Sequence, residues 1–282
     1  MTWLHVARKD FQDAGRSRLL WVLTGLLVLL IAGLSAIPYV LASDGRPAFE
    51  SGLLFLYSPI GFLIPIVGLI VGYRAIVGER ESGTIRFLLG LPNTRRDVML
   101  GKLVGRTAVV AVPTVIGFAV GGVVLALLYE GFAAGAYLGL FAFTVVMGLV
   151  YVAIALGISA SVDSRAKALA VVATLYVIVD IAWSFVPMSI YWALERSFPG
   201  FENLPAWYLF LERLSPGQAL SAISLTLVDF VGAEDIDVTA AGRVAGEVPF
   251  YLENWFAWVI VLAWILVPLG VGYLRFRDAT LN

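Results

Sequence analysis

Apolar residues gather in six long blocks along the chain, at about 20–42, 53–77, 103–128, 136–160, 168–190 and 255–274. A helix needs about 20 such residues to cover roughly 30 Å of hydrocarbon, so each block is long enough to span. Backbone N–H and C=O groups have no water to bond in lipid, which favours helices. The pattern predicts an all-α integral membrane protein with six transmembrane helices in a single domain over 1–282.

The polar intervals carry their own patterns. Residues 3–14 predict an amphipathic helix, with Trp3, Leu4, Ala7, Phe11 and Ala14 near one face and Arg8, Lys9, Asp10 and Asp13 on the rest. Such a helix suits the membrane interface, and a solvated lead-in is the plainer alternative. Between the second and third blocks, residues 78–102 hold seven charged side chains besides Lys102. Gly78 closes the second span, and Glu79, Arg80 and Glu81 draw the chain into water. Ser82-Gly83-Thr84 permits a turn. Thr84–Leu91 then predicts a short apolar helix with Ile85, Phe87, Leu88, Leu89 and Leu91, ended by Pro92. Thr94-Arg95-Arg96-Asp97 has the Thr-x-x-Asp form of a capping box and starts a new helix that leads into the third span.

The long interval at 191–254 contains two surface-seeking pieces. Pro205–Leu211 carries Trp207, Tyr208 and Phe210. Ser215-Pro216-Gly217-Gln218 reads as a capped helix start, leading into Ala219–Val228, which is too short to span. Pro59, Pro65, Pro113, Pro187 and Pro268 fall within the spans and are expected to bend them. Glycine pairs at Gly68/Gly72, Gly117/Gly121 and Gly135/Gly139 mark places where helices approach closely.

Composition agrees with a membrane protein: 60% of residues are apolar and 14% charged. A soluble domain averages about 45–50% and about 25%. The first block follows Arg8, Lys9, Arg16 and Arg18, but it far exceeds the core of a signal peptide and reads as a retained span. Basic residues accumulate on the cytoplasmic side of membrane proteins. Arg8, Lys9, Arg16 and Arg18 precede span 1; Arg74, Arg80, Arg86, Arg95, Arg96, Lys102 and Arg106 surround the 78–102 segment; Arg165 and Lys167 lie between spans 4 and 5, and Arg275 and Arg277 end the chain. That bias predicts both termini and the 78–102 segment in the cytoplasm, with 191–254 outside. The expected location is the plasma membrane.

Little chemistry is on offer. Cysteine is absent and His5 is the only histidine, which removes disulfides, thiolate catalysis and ordinary zinc or iron–sulfur sites. Met1, Met99, Met147 and Met188 form no stripe for a soft metal. Trp183, Trp192, Trp255 and Trp258 read as an aromatic belt. Asp180, inside the fifth block, is the one intramembrane carboxylate. It reads as a path or proton site, or as a structural hydrogen bond to a Ser, Thr or Tyr on a neighbouring helix; Thr174, Tyr176 and Ser184 are nearby in sequence. A phosphate loop needs Gly-x-x-x-x-Gly-Lys-Ser/Thr. Around Gly101-Lys102 the first glycine is replaced by Arg96 and the hydroxyl by Leu103, so this chain is not expected to hydrolyse ATP.

Glu79-Arg80-Glu81-x-Gly83-Thr84, then Leu88-Leu89-x-x-Pro92-x-x-Arg95 and Gly101-Lys102, resembles the signature of ABC-2 type permeases, most of all those linked to multicopper-enzyme maturation. The order of parts is similar over nearly the whole chain. The resemblance implies that Thr84–Leu91 is a coupling helix docking on a separate ABC ATPase, with Glu79, Arg80 and Glu81 as its polar base. It implies Gly83, Thr84, Phe87, Leu88, Pro92 and Arg95 as further coupling residues. It also implies an exporter built on a permease dimer, with ATP and magnesium held by the partner ATPase and no cofactor or metal bound by this chain. The lipid bilayer is the remaining partner, and no nucleic acid is expected. The alternative is an ion- or proton-coupled secondary transporter that uses Asp180.

Overall fold

The computed structural model describes residues 3–42, 45–85, 94–227 and 240–278. The first helix, α1 (Trp3–Gly15), turns at Arg16-Ser17 into α2 (Arg18–Leu41). Then come α3 (Phe49–Gly72), the short α4 (Val77–Glu81), α5 (Arg95–Leu128) and α6 (Ala134–Ser161). After these follow α7 (Arg165–Tyr176), which continues as one wide π-helical turn over Val177–Ile181, and α8 (Phe185–Glu195). The remaining helices are α9 (Ala206–Arg213), α10 (Pro216–Leu227), α11 (Ala240–Arg243) and α12 (Asn254–Asp278). Among the described residues pairing outside helices is limited to two isolated bridges, Ala48 with Glu130 and Leu204 with Val244.

Among the described residues five helices are long and apolar enough to cross a membrane: Leu20–Leu41, Phe49–Glu81, Arg95–Leu128, Ala134–Ser161 and Asn254–Asp278. Their positions match five of the six apolar blocks. The fifth block is a bent pair instead, Arg165–Ile181 and Phe185–Glu195, meeting at 46°; taken as one span it makes six. The break has physical causes. The π turn leaves the i→i+4 ladder at Val177–Ile181. Trp183 sits in the gap, where its indole Nε1 donates to the Leu211 carbonyl at 2.7 Å. Pro187 in the following turn lacks an N–H to restore the ladder. The other prolines named from the sequence lie within helices that run through them: Pro59 and Pro65 in α3, Pro113 in α5 and Pro268 in α12.

The centre of the bundle is α6, buried without interruption from Val150 to Leu156. It packs against α3, α5, α10 and α12. Small residues make this possible. A Cβ on Gly72 of α3 would lie 2.7 Å from the Ala155 Cβ, and Gly157 of α6 crosses α12 so closely that any Cβ would strike the Pro268 carbonyl. Gly117 and Gly121 give the same close approach to Leu27 and Ile31 of α2, whereas a Cβ on Gly135 would meet nothing. Two of the three glycine pairs read from the sequence therefore bring helices of this chain together.

At the end of the bundle opposite α4, α9 and the turn at Phe250–Leu252 enclose a small separate core of Leu204, Tyr208, Leu209, Val244 and Leu252. Arg213 is buried there and donates to the carbonyls of Leu252 and Glu253. Burial lowers its pKa from the ordinary guanidinium value. The helix predicted at Ser215 forms as α10: the Gln218 amide donates to Ser215 Oγ at 3.1 Å.

Candidate functional site

The charged segment after α3 is fixed at both ends. At its start the chain makes a tight turn over Tyr73–Ile76, and the amides of Ile76 and Val77 both donate to Ser159 Oγ of α6, at 3.0 and 3.1 Å. Each side chain of Glu79-Arg80-Glu81 then finds a partner on a different element. Glu79 Oε1 accepts from Lys102 Nζ of α5 at 2.6 Å. Arg80 donates to the Val162 carbonyl at 3.1 Å and lies 3.7 Å from Asp163. Glu81 pairs with Arg165 at the start of α7, at 2.8 Å, and accepts the Arg165 amide at 2.7 Å. Gly83 follows with φ of +73°, the left-handed conformation that suits glycine. Ser82 and Thr84 hydroxyls lie 2.8 Å apart.

The sequence predicts a short apolar helix next, over Thr84–Leu91. Its first apolar residue, Ile85, is buried within this chain against Val6, Ile76, Val98, Met99 and Phe276. Phe87, Leu88 and Pro92, with the rest of the helix expected to Leu91, lie outside the described residues.

The segment's far end is equally secured. Thr94 and Asp97 form the full capping box of α5: the Asp97 amide donates to Thr94 Oγ1, and the Thr94 amide donates to Asp97 Oδ2. Arg95 donates to the carbonyls of Phe276 and Arg277 and lies 5.2 Å above the Phe276 ring. Arg96 Nε donates to Tyr273 Oη at 3.0 Å. Both arginines thus tie the start of α5 to the end of α12.

A buried charge cluster joins this segment to α1. Lys102 is 1% exposed, and its ammonium bridges Glu79 and Asp10, the latter at 3.3 Å. Arg106 lies one turn on and places its Nε 2.9 Å from Asp10 Oδ2. Two acids and two bases balance. The sequence set Asp10 on the polar face of α1, yet the buried face is Val6, Ala7, Asp10 and Ala14, while Trp3 and Leu4 are exposed. The correction has a steric reason that sequence reading missed: Gly101 and Gly105 of α5 form a fourth glycine pair. A Cβ on Gly101 would lie 2.7 Å from the Trp3 carbonyl, and one on Gly105 3.0 Å from that of Ala7. With no side chains between them, the two backbones approach closely and carry Asp10 to the two cations. Lys102 is therefore engaged inside a helix.

Asp180 belongs to a second place. It lies in the π turn; its Oδ1 accepts from Tyr151 Oη of α6 at 2.5 Å, and its carboxylate accepts from the Gly217 amide near the start of α10. Tyr151 is a tyrosine on a neighbouring helix, the kind of partner that the structural reading of Asp180 named, whereas Thr174, Tyr176 and Ser184 are only its neighbours in sequence. The second oxygen, Oδ2, is buried and has no hydrogen-bond partner. Asp180 also lines a cavity of about 300 Å³, walled by α3, α6 and α10. Of the four tryptophans, Trp192 and Trp255 are about half exposed. Trp258 packs against the main core, and Trp183 holds the break described above.

The sequence pattern of the family described as "ABC-2 family transporter protein" matches residues 4–281. A curated relative from Stutzerimonas stutzeri, named "Probable ABC transporter permease protein NosY", is 29% identical over 280 residues, covering 97% of each chain. A protein of the same name from Pseudomonas aeruginosa is 34% identical over 170 residues, covering 58% of this chain and 61% of its own.

Proposed function

This chain belongs to the ABC-2 family of transporter proteins, and from that premise we propose that two copies of it form the translocation path of an ATP-driven exporter, worked by a separate ATPase that docks on residues 78–102. The family and the named relatives make it a multi-pass membrane subunit of an ABC transporter. The finer reading rests on one observation above all. The 78–102 segment and the turn at Ile76-Val77 that leads into it are bonded to α1, α6, α7 and α12, through Asp10, Ser159, Arg165 and the carbonyls of Phe276 and Arg277. A push on such a segment cannot be absorbed locally, because every one of these partners lies on another helix. Glu79, Arg80 and Glu81 brace it, and Arg95 fixes its far end. Phe87 and Leu88 are the proposed contact. ATP and magnesium belong to the partner ATPase, and both termini lie on the same, cytoplasmic, side as that partner in the plasma membrane.

The test is co-purification with a candidate ABC ATPase co-expressed with this chain. Phe87→Asp or Leu88→Asp should abolish capture while leaving the chain inserted and folded; undiminished capture would sink the assignment. A second reading, an ion- or proton-coupled carrier, draws support from the unpartnered Asp180 Oδ2. Transport that survives deletion of the ATPase but is lost in Asp180→Asn would favour it.

A further inference from the structure

We propose that the cavity beside Asp180 is a binding site for a small organic cation, held through a primary ammonium group. The inference uses the membrane-subunit reading but not the ATPase contact. Asp180 brings one negative charge to the cavity, and none of the residues lining it is basic. Tyr151 donates to its Oδ1 and the Gly217 amide donates to the carboxylate, while Oδ2, covered from water, has no donor within the chain. Gly217 is what lets α10 come this close: a Cβ there would lie 2.8 Å from Asp180 Oδ1.

The rest of the wall selects the ligand class. Ser58 and Gln218 add neutral oxygens to the single carboxylate, beside the Tyr57 hydroxyl, which is bonded to those of Ser221 and Ser224. An ammonium group offers three N–H donors and one positive charge, matching one anion ringed by neutral acceptors. A calcium-like ion takes six to eight oxygens, commonly several of them carboxylates; among the described residues no group of three or more His, Cys, Asp or Glu forms a metal cluster. A bare alkali ion occupies about the space of one water, on the order of 30 Å³, a small part of the cavity. The remaining volume has an apolar, aromatic side. Tyr57 and Phe143 are stacked with centroids 5.7 Å apart, beside Met147. Aromatic faces hold both a carbon skeleton and a cation. Ser58 and Gln218 are exposed and form the mouth.

The experiment uses the full chain in lipid nanodiscs without nucleotide, titrated at constant ionic strength and neutral pH with benzylamine, benzyl alcohol or sodium chloride. Calorimetry and the thermal midpoint are read. Benzylammonium should bind saturably and raise the midpoint. Asp180→Asn, which keeps an acceptor for Tyr151, should weaken it at least tenfold, and Gln218→Leu a few-fold. Equal binding of benzyl alcohol, the same stabilisation by sodium alone, or unchanged affinity in Asp180→Asn would overturn the proposal. Should Asp180→Asn fail to fold, Ser58→Leu narrows the mouth from an exposed position, and undiminished binding in that variant overturns it equally. Nucleotide is absent, so failure here leaves the ATPase reading intact, and failed ATPase capture leaves this site standing.

Discussion

At the residue scale the cluster of Asp10, Glu79, Lys102 and Arg106 governs the protein's tolerance to change. Lys102 and Asp10 are both more than nine-tenths buried, and removing one member of such a pair leaves an uncompensated charge. Lys102→Met should destabilise the chain by about 3–5 kcal/mol, measured as a fall in the denaturant midpoint in detergent. Adding Asp10→Asn should recover part of that loss, since the remaining Glu79 and Arg106 balance. Gly105→Leu should be as damaging, because a side chain there meets Asp10 and the Ala7 carbonyl; retention of the wild-type midpoint would refute the close-crossing account. This cluster was not legible in the sequence. Asp10 and Lys102 are 92 residues apart, and local periodicity assigns an aspartate to water unless something distant claims it. Thr94 and Asp97, three residues apart, announced their bond at once. Asp180 lies between these cases: its position inside an apolar block pointed to a special role, but nothing local named Tyr151.

Individual elements show the same division. Apolar length sufficed to find five continuous spanning helices, because the bilayer requirement acts on each block separately. It did not find the break in the fifth. That break depends on a π turn and on an indole bonding to another helix, and neither leaves a periodic trace. Trp183→Phe removes the bond to Leu211 and should speed amide hydrogen exchange across α9, residues 206–213, with little change in the core of α6. Unchanged exchange in α9 would mean that the indole does not hold it. Thr94→Ala strips the cap from α5 and should cost about 1 kcal/mol. The loss should be confined to its first turn and visible as faster exchange at Arg96, Asp97 and Val98.

For the whole molecule, topology is the open quantity with a direct measurement. The natural chain has no cysteine, so single-cysteine variants give an uncluttered readout. Ser82→Cys should react with a membrane-impermeant maleimide only after permeabilisation, and Gly246→Cys should react in intact cells; the reverse pattern would invert the protein and remove the proposed ATPase contact. Both positions are exposed. The seating of α1 on α5 also bears on how the chain is made. Asp10 precedes Arg106 by 96 residues, and synthesis proceeds at about 5–20 residues per second. Helix α1 therefore waits about 5–20 s for the lysine and arginine that will hold it. During that interval its carboxylate belongs in water and its oily side on lipid, so α1 takes its final seat only after two spanning helices have been made and a third has begun.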